Sequence, residues 1–350
     1  MKWELAQAMI DRLRGKRLVN RIKARAYPHI YLPFYNIDVA IGSEEPVVYN
    51  AEGRKMRSFF LRDIHWAHAP CHMQSQYFLW DRFNIGLQTH FYTHNAMLHQ
   101  MGKPVRRYGV LWESEAIVPR DYKIFDRHRG LEKDFDLVFT FSEKLLERLD
   151  NARFFQACAS SWFGPRLGGG TLSEESYLHK SRDLSILASR KCQTPLHRAR
   201  LRLAQELKRR ALADTFGTFD GGEPVRIADT LERYRFSFAI ENDRQPFFFT
   251  ERLTSCFAAM TIPVYLGATQ VGRYFNPDGI VSIELSDLDD VGRIVERCTA
   301  AEYQARLPAV VENYHRVQEY LNVNDWLFRR YFSAPSDGGG QVDSVPDAVR

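Results

Sequence analysis

The sequence predicts an α/β protein of two parallel-sheet domains, and three observations carry that expectation. The second half alternates short apolar runs with helical segments. The chain's 350 residues are enough for two domains of ordinary size. A glycine- and serine-rich stretch, PRLGGGTLSEES at 165–176, separates two ordered-looking halves. Strands alternating with helices of about ten residues call for a parallel sheet with right-handed crossovers. The expected division is 1–170, 171–332 and a disordered tail, 333–350, too poor in apolar residues to pack.

The elements follow in order. YGVLW near Tyr108 and DLVFTF near Asp136 read as buried strands, and SEKLLERL opens a helix after Ser142. LSILAS around Leu184 is a strand, and RLRLAQELKRRAL from Arg200 a helix with Leu201, Leu207 and Leu212 among its apolar positions. FSFAI from Phe236 is a strand, ERLTSCFAAM from Glu251 a helix and IPVYLG from Ile262 a strand again; IVSIEL and DDVGRIVERC repeat the alternation. Ligands of open α/β sheets sit beyond the carboxyl ends of the strands, so functional residues are expected at strand-to-helix junctions.

Apolar residues make up 45% and charged residues 26%, the balance of a globular protein. The net charge of +5 is too small to argue for nucleic acid and suits anionic small molecules or an anionic membrane surface. Five widely spaced cysteines with no CxxC pair support neither a disulfide framework nor a zinc knuckle, which fits a reducing, cytoplasmic compartment. No apolar run of about eighteen residues is present. A basic N-terminal helix over 3–23 reads as a surface helix packed on its domain, with weak peripheral membrane contact as the alternative.

The densest chemical signal is YRFSFAIENDRQPFFFTERLTSCFAAMTIPVYLG, 234–267. A strand ends in Glu241 and Asn242, an aromatic loop follows, and a helix starts at Thr250-Glu251-Arg252. Thr250 is the expected N-cap, leaving backbone N–H groups and the positive dipole end towards the cleft. Arg252 in the first turn opposes the dipole, a conflict that an anionic ligand shared by both would resolve.

This run resembles the signature of the family 10 fucosyltransferases, in which an F-x-EN strand end precedes a Y/F-x-TEK helix start and a short PV-x-x-G strand. Arg252 stands where that family has lysine, and Phe248 where it often has tyrosine. SILASRKCQTPLHRAR (185–200) is similar to the family's S-x-x-S-x-K…H-x-x-R segment, and YFNPDGIVSI to the stretch after the signature. The H-x-x-R match places a phosphate-binding arginine at Arg200, with Arg198 as the register alternative. In the first half, KPVRRYGVLWESEAIVPRDY resembles the family's E-x-E segment. That implies a general base at Glu113, with Glu115 in reserve because carboxylates two apart on an extended chain point to opposite sides.

The resemblance implies a GT-B-type fold of two Rossmann-like domains facing each other across a cleft. It further implies inverting transfer of L-fucose from GDP-fucose to an acceptor oligosaccharide in α1,3/4 linkage, with no metal cofactor. Arg200, Arg252 and the helix start at Thr250 would hold the diphosphate; Glu241, Asn242, Phe248 and Glu251 complete the donor set, and Glu251 also favours an oxocarbenium-like centre. Another sugar nucleotide, or a non-catalytic nucleotide- or glycan-binding relative, are the alternatives.

Asp81, Arg82, His90, His94 and Glu115 are candidate acceptor-facing groups. His90 and His94 imitate a metal-ligand spacing, with His65, His68 and His72 upstream, but no HExxH accompanies them, so no metal site is expected. Asp134-Phe135-Asp136 mimics a metal-binding DxD but precedes an apolar strand, which reads as a loop feeding that strand.

Overall fold

The computed structural model describes residues 53, 55–63, 75–82, 84–163 and 169–333, with the backbone of strands at 29–32, 37–40 and 48–49. The expected N-terminal helix, the tail beyond Ser333 and His65, His68 and His72 lie outside the described residues.

Strands β1 (His29–Leu32) and β2 (Ile37–Ala40) form an antiparallel pair of their own. The first large sheet contains β3 (Val48–Tyr49), β4 (Lys55–Arg62), β5 (Phe78–Asp81), β6 (Thr89–Thr93), β7 (Arg106–Val110), β8 (Leu137–Thr140) and β9 (Ala152–Phe154). Its order is β3-β4-β6-β7-β8-β9 with β5 also on β4, and every pairing but β3–β4 is parallel. The second sheet contains β10 (Arg182–Leu187), β11 (Asp214–Phe216), β12 (Tyr234–Ile240), β13 (Ile262–Leu266) and β14 (Val281–Ser282), parallel throughout in the order β11-β10-β12-β13-β14. These two largely parallel sheets with their helices are the α/β arrangement expected from the sequence.

The sequence explains the parallel pairing. YRFSFAI and IPVYL are nearly continuous apolar runs buried on both faces, which only a sheet covered on both sides can accommodate. Helices α1 (Pro119–Tyr122), α2 (Ile124–Arg127) and α3 (Glu143–Arg148) belong to the first half. Helices α4 (Pro195–Arg209), α5 (Glu251–Ala258), α6 (Val291–Arg297), α7 (Ala300–Ala305) and α8 (Leu307–Val317) belong to the second. α4 starts a turn earlier than the apolar pattern suggests. Pro195 occupies its first turn, where a missing N–H costs nothing, and the Thr194 hydroxyl accepts from the His197 N–H at 3.0 Å.

The last helix, α9 (Val323–Tyr331), crosses back to the first sheet, although the division at 170/171 counts it with the second unit. The Phe328 ring stacks on Tyr77 with centroids 4.8 Å apart, Phe332 lies 5.4 Å from Phe59, and the Tyr331 hydroxyl donates to the Phe154 carbonyl at 2.6 Å. Its aromatic face completes the first core instead of the second.

Strand order fixes where a ligand can enter. In the second sheet the chain leaves β10 to opposite sides, first to β11 and then to β12, so a crevice opens where β10 and β12 diverge at their carboxyl ends. β4, between β5 and β6, makes the same switch in the first sheet. The two carboxyl edges meet: Asn242, just after β12, donates to Glu113, just after β7, at 3.1 Å.

Candidate active site

The floor of the site is the β12–α5 junction. Glu241 is fully buried, and its two oxygens accept from the Thr250 N–H (2.9 Å) and the Thr250 hydroxyl (2.7 Å). Burial, reinforced by the neighbouring Glu251, pushes its carboxyl up to about 7. Gly267 keeps this packing possible, because a Cβ there would collide with Glu241 and Tyr265. The sequence assigns Glu241 to the donor; the structure gives it to the helix start, since a buried carboxylate must satisfy its oxygens locally.

Thr250 is the N-cap, its hydroxyl oxygen accepting from the Arg252 N–H at 3.2 Å. The Glu251 N–H donates to the Cys158 carbonyl at 2.8 Å, and the Leu253 N–H to the Thr250 carbonyl at 3.1 Å. The helix start therefore does not offer these N–H groups to a phosphate as the sequence suggested. The dipole remains, but contact with an anion falls to side chains. Phe248 also departs from expectation. It is fully buried against Phe141, ring centroids 4.7 Å apart, inside an aromatic wedge with Phe247 and Phe249. Without a hydroxyl, this side chain gains more from the core than from a polar cleft.

Those side chains are cations. Arg200, 2% exposed, donates to the Ile240 carbonyl at the end of β12 at 2.6 Å. Burial, and then repulsion from Arg252, hold its guanidinium well below the usual range, while Glu241 and Glu251 oppose the shift. Arg252 reaches the Leu187 carbonyl at the end of β10, 3.4 Å away. Both arginines thus stand at the crevice between β10 and β12. Arg198, the register alternative, is exposed and bonded to the Cys192 carbonyl. Lys191 and His197 join the cluster: the His197 ring feels Arg200, Arg252 and Lys191, and Lys191 also acts on Glu113. Neither was singled out from sequence, although both are letters of the quoted segment. A lysine and a histidine on a loop and a first helical turn gave no sign of converging on residue 252.

Glu113 is supplied by the other sheet. Its Oε1 accepts from the Ser114 N–H (2.8 Å) and the Asn242 amide (3.1 Å); no hydrogen bond reaches Oε2 among the described residues. Burial raises its pKa and Glu251 adds to the rise, against the Ser114 and Asn242 hydrogen bonds and Lys191. The loop under it is pinned by three side chains. His94 Nε2 accepts from the Trp112 (3.3 Å) and Glu113 (3.1 Å) N–H groups. The Cys158 thiol donates to the Trp112 carbonyl at 2.9 Å, and the Tyr122 hydroxyl to the Glu113 carbonyl at 2.7 Å.

His94 is consequently not acceptor-facing. It is fully buried in a left-handed backbone conformation (φ 49°), which turns the ring under residues 112 and 113. An accepting Nε2 puts the proton on Nδ1, 3.4 Å from Asp121 Oδ2. His90 is a core residue. Its ring packs 4.5 Å from Phe60, bonds the Tyr92 hydroxyl at 2.8 Å and is driven by burial down to about 3. It sits on β6 while His94 follows in a 3₁₀ turn, so their spacing is not that of helical metal ligands.

Asp81 closes β5 and accepts from the Asn84 N–H at 2.9 Å; Arg82 lies 3.9 Å from Asp63. Glu115 lies in the turn after Glu113, where the Ala116 N–H donates to Asp243 across the cleft at 3.1 Å. Asp136 binds Arg106 (2.7 Å) and the Arg107 N–H (2.8 Å) immediately before β8. Among the described residues no three His, Cys, Asp or Glu side chains gather as a metal-ligand group, and no helix is long and apolar enough to cross a membrane.

Residues 178–331 match the family described as glycosyltransferase family 10 (fucosyltransferase), C-terminal. Curated relatives include the Mus musculus alpha-(1,3)-fucosyltransferase 4, 39% identical over 75 residues, which are 20% of this chain and 17% of that one. Another is the Gorilla gorilla gorilla 4-galactosyl-N-acetylglucosaminide 3-alpha-L-fucosyltransferase FUT6, 31% identical over 90 residues, 25% of each chain. The matches thus span a quarter or less of these relatives' length. Similar solved structures include an alpha1,3-fucosyltransferase with GDP-fucose, at 15% identity and TM-score 0.43 over 72% of this chain and 81% of that one. TarM is also similar, at 10% identity and TM-score 0.44 over 69% and 53%. Through its second sheet and the helices around it, the chain is similar to glycosyltransferase family 10.

Proposed function

We propose that the protein transfers L-fucose from GDP-fucose to a hydroxyl of an acceptor oligosaccharide, in α1,3/4 linkage, with inversion and without a metal ion. The observation that carries this reading is the 3.1 Å hydrogen bond from Asn242 to Glu113, which joins the two sheet edges and sets a half-buried carboxylate beside the cationic crevice. The acceptor oxygen attacks the anomeric carbon while Glu113 takes its proton, and the bond from that carbon to the diphosphate breaks. The raised pKa of Glu113 makes it a stronger base than an exposed carboxylate. Charge growing on the departing diphosphate meets Arg200 and Arg252, which stabilise it more as the transition state is approached. Glu251, which acts electrostatically on both Glu113 and Arg200, would supply the negative charge that favours an oxocarbenium-like sugar.

A thermal-shift screen of nucleotide sugars, followed by turnover with acceptor glycans in saturating EDTA, tests the proposal. GDP-fucose should stabilise the protein most, and turnover should survive chelation. A preference for a different sugar nucleotide would reassign the donor. Activity lost to EDTA and restored by Mn²⁺ would overturn the metal-free clamp.

A further inference from the structure

His197 is a buried base in a nest of cations, and its Nδ1 finds no hydrogen-bond partner among the described residues. It lies three residues before Arg200, so both side chains share one face of α4. The residue is 4% exposed, and its Nδ1 is buried without a hydrogen-bond partner among the described residues. The charged groups acting on its ring are Arg200 from its own helix, Arg252 from α5 and Lys191 from the loop before α4. The carboxylates of the facing elements, Glu241 and Glu251, act on Arg200. A buried polar atom without a partner carries a free-energy cost that the fold leaves uncorrected. An anion held by Arg200 and Arg252 would supply the acceptor that is missing.

Resting on the donor-site reading above, the geometry points to His197 as a proton-carrying ligand of the diphosphate. The ring is neutral in the empty site and becomes imidazolium, donating to a phosphate oxygen, when nucleotide binds. Burial, then repulsion from the three cations, holds the free ring down to about 4, so at neutral pH it has no charge. A bound diphosphate reverses the sign of the local field and provides a hydrogen bond that favours the charged form. Binding therefore takes up a proton between about 4 and the higher pKa of the complex, and affinity falls as pH rises through that window. The cluster would then neutralise the leaving diphosphate with an added proton on the protein, and product release would return that proton to solvent.

The test is GDP binding to wild type and His197→Asn, by calorimetry in buffers of different ionisation enthalpy across pH 6 to 8. Protons that GDP itself gains or loses are common to both proteins and cancel. Wild type should take up more protons than the variant, the difference approaching about one per nucleotide, and its affinity should fall more steeply with pH, by up to about tenfold per unit. Equal proton counts with GDP bound in both would overturn the inference and leave the donor site standing. No GDP binding by wild type would overturn both. Should His197→Asn not fold, NMR of isotope-labelled histidine in wild type decides: one imidazole must change from neutral to charged on GDP addition at pH 7, and none doing so overturns the proposal.

Discussion

At the carboxyl edge of the second sheet, the charged side chains project from regular elements. Arg200 comes from the middle of α4, Arg252 from the first turn of α5, and both rest on strand-end carbonyls of the same sheet. At the facing edge of the first sheet, Glu113 sits on an irregular loop whose backbone N–H and carbonyl groups are tied down by His94, Cys158 and Tyr122. One edge gets its geometry from secondary structure and the other from borrowed hydrogen bonds. The first arrangement suits binding, where charge matters more than angle. The second suits proton transfer, where a misplaced base loses rate steeply.

The sharpest way to break this contrast is Glu113→Gln, which should lower kcat by about 10²–10⁴-fold in a donor-saturated assay. Glu115→Gln should leave most activity. A dead Glu115→Gln beside an active Glu113→Gln would move the base to the next carboxylate. His94→Asn comes next. The loop loses its shared acceptor, and kcat should fall by about 10²-fold with the GDP dissociation constant unchanged. An unchanged kcat would show that Cys158 and Tyr122 suffice to hold the base.

On the other edge, Arg200→Met should keep or raise the melting temperature of the ligand-free protein, because it removes a buried cation repelled by Arg252. A clear loss of ligand-free stability, read by differential scanning calorimetry, would make Arg200 a structural residue. The smallest effect is on pH. The acid limb of kcat/KM should lie above the ordinary carboxylate range, since Glu113 is raised by burial and must be ionised to act. Asn242→Ala removes a hydrogen bond that lowers that pKa and should move the limb to higher pH; Glu251→Gln removes a repelling charge and should move it lower. A limb that stays fixed in both variants would belong to another group.

What could be read from sequence divides along the same line. The alternation of the second half, the Thr250 cap and the two arginines are local facts, written in runs such as FSFAI and TER, and the structure keeps them at the expected junctions. The roles of Glu241, Phe248 and His94 depend on burial, which adjacent residues do not reveal. Glu241 looks like a strand-end ligand until Thr250 and Gly267 close around it. His94 resembles a surface histidine until its left-handed backbone turns it under the Glu113 loop. The Glu251 N–H is taken by Cys158, a residue from the far side of the glycine-rich break, so no local pattern could have announced it. Likewise α9 follows the second sheet in sequence but is claimed by the aromatic core of the first.

The division of labour between the edges is tested most directly by titrating GDP into wild type, Glu113→Gln, Arg252→Ala and Arg200→Met in a calorimeter at one pH. Glu113→Gln should bind as wild type does, while each arginine variant should lose about 1.5–3 kcal/mol, the worth of a hydrogen bond to a charged group. Equal binding by all four proteins would contradict the account, because the cationic crevice would then not be where the nucleotide sits.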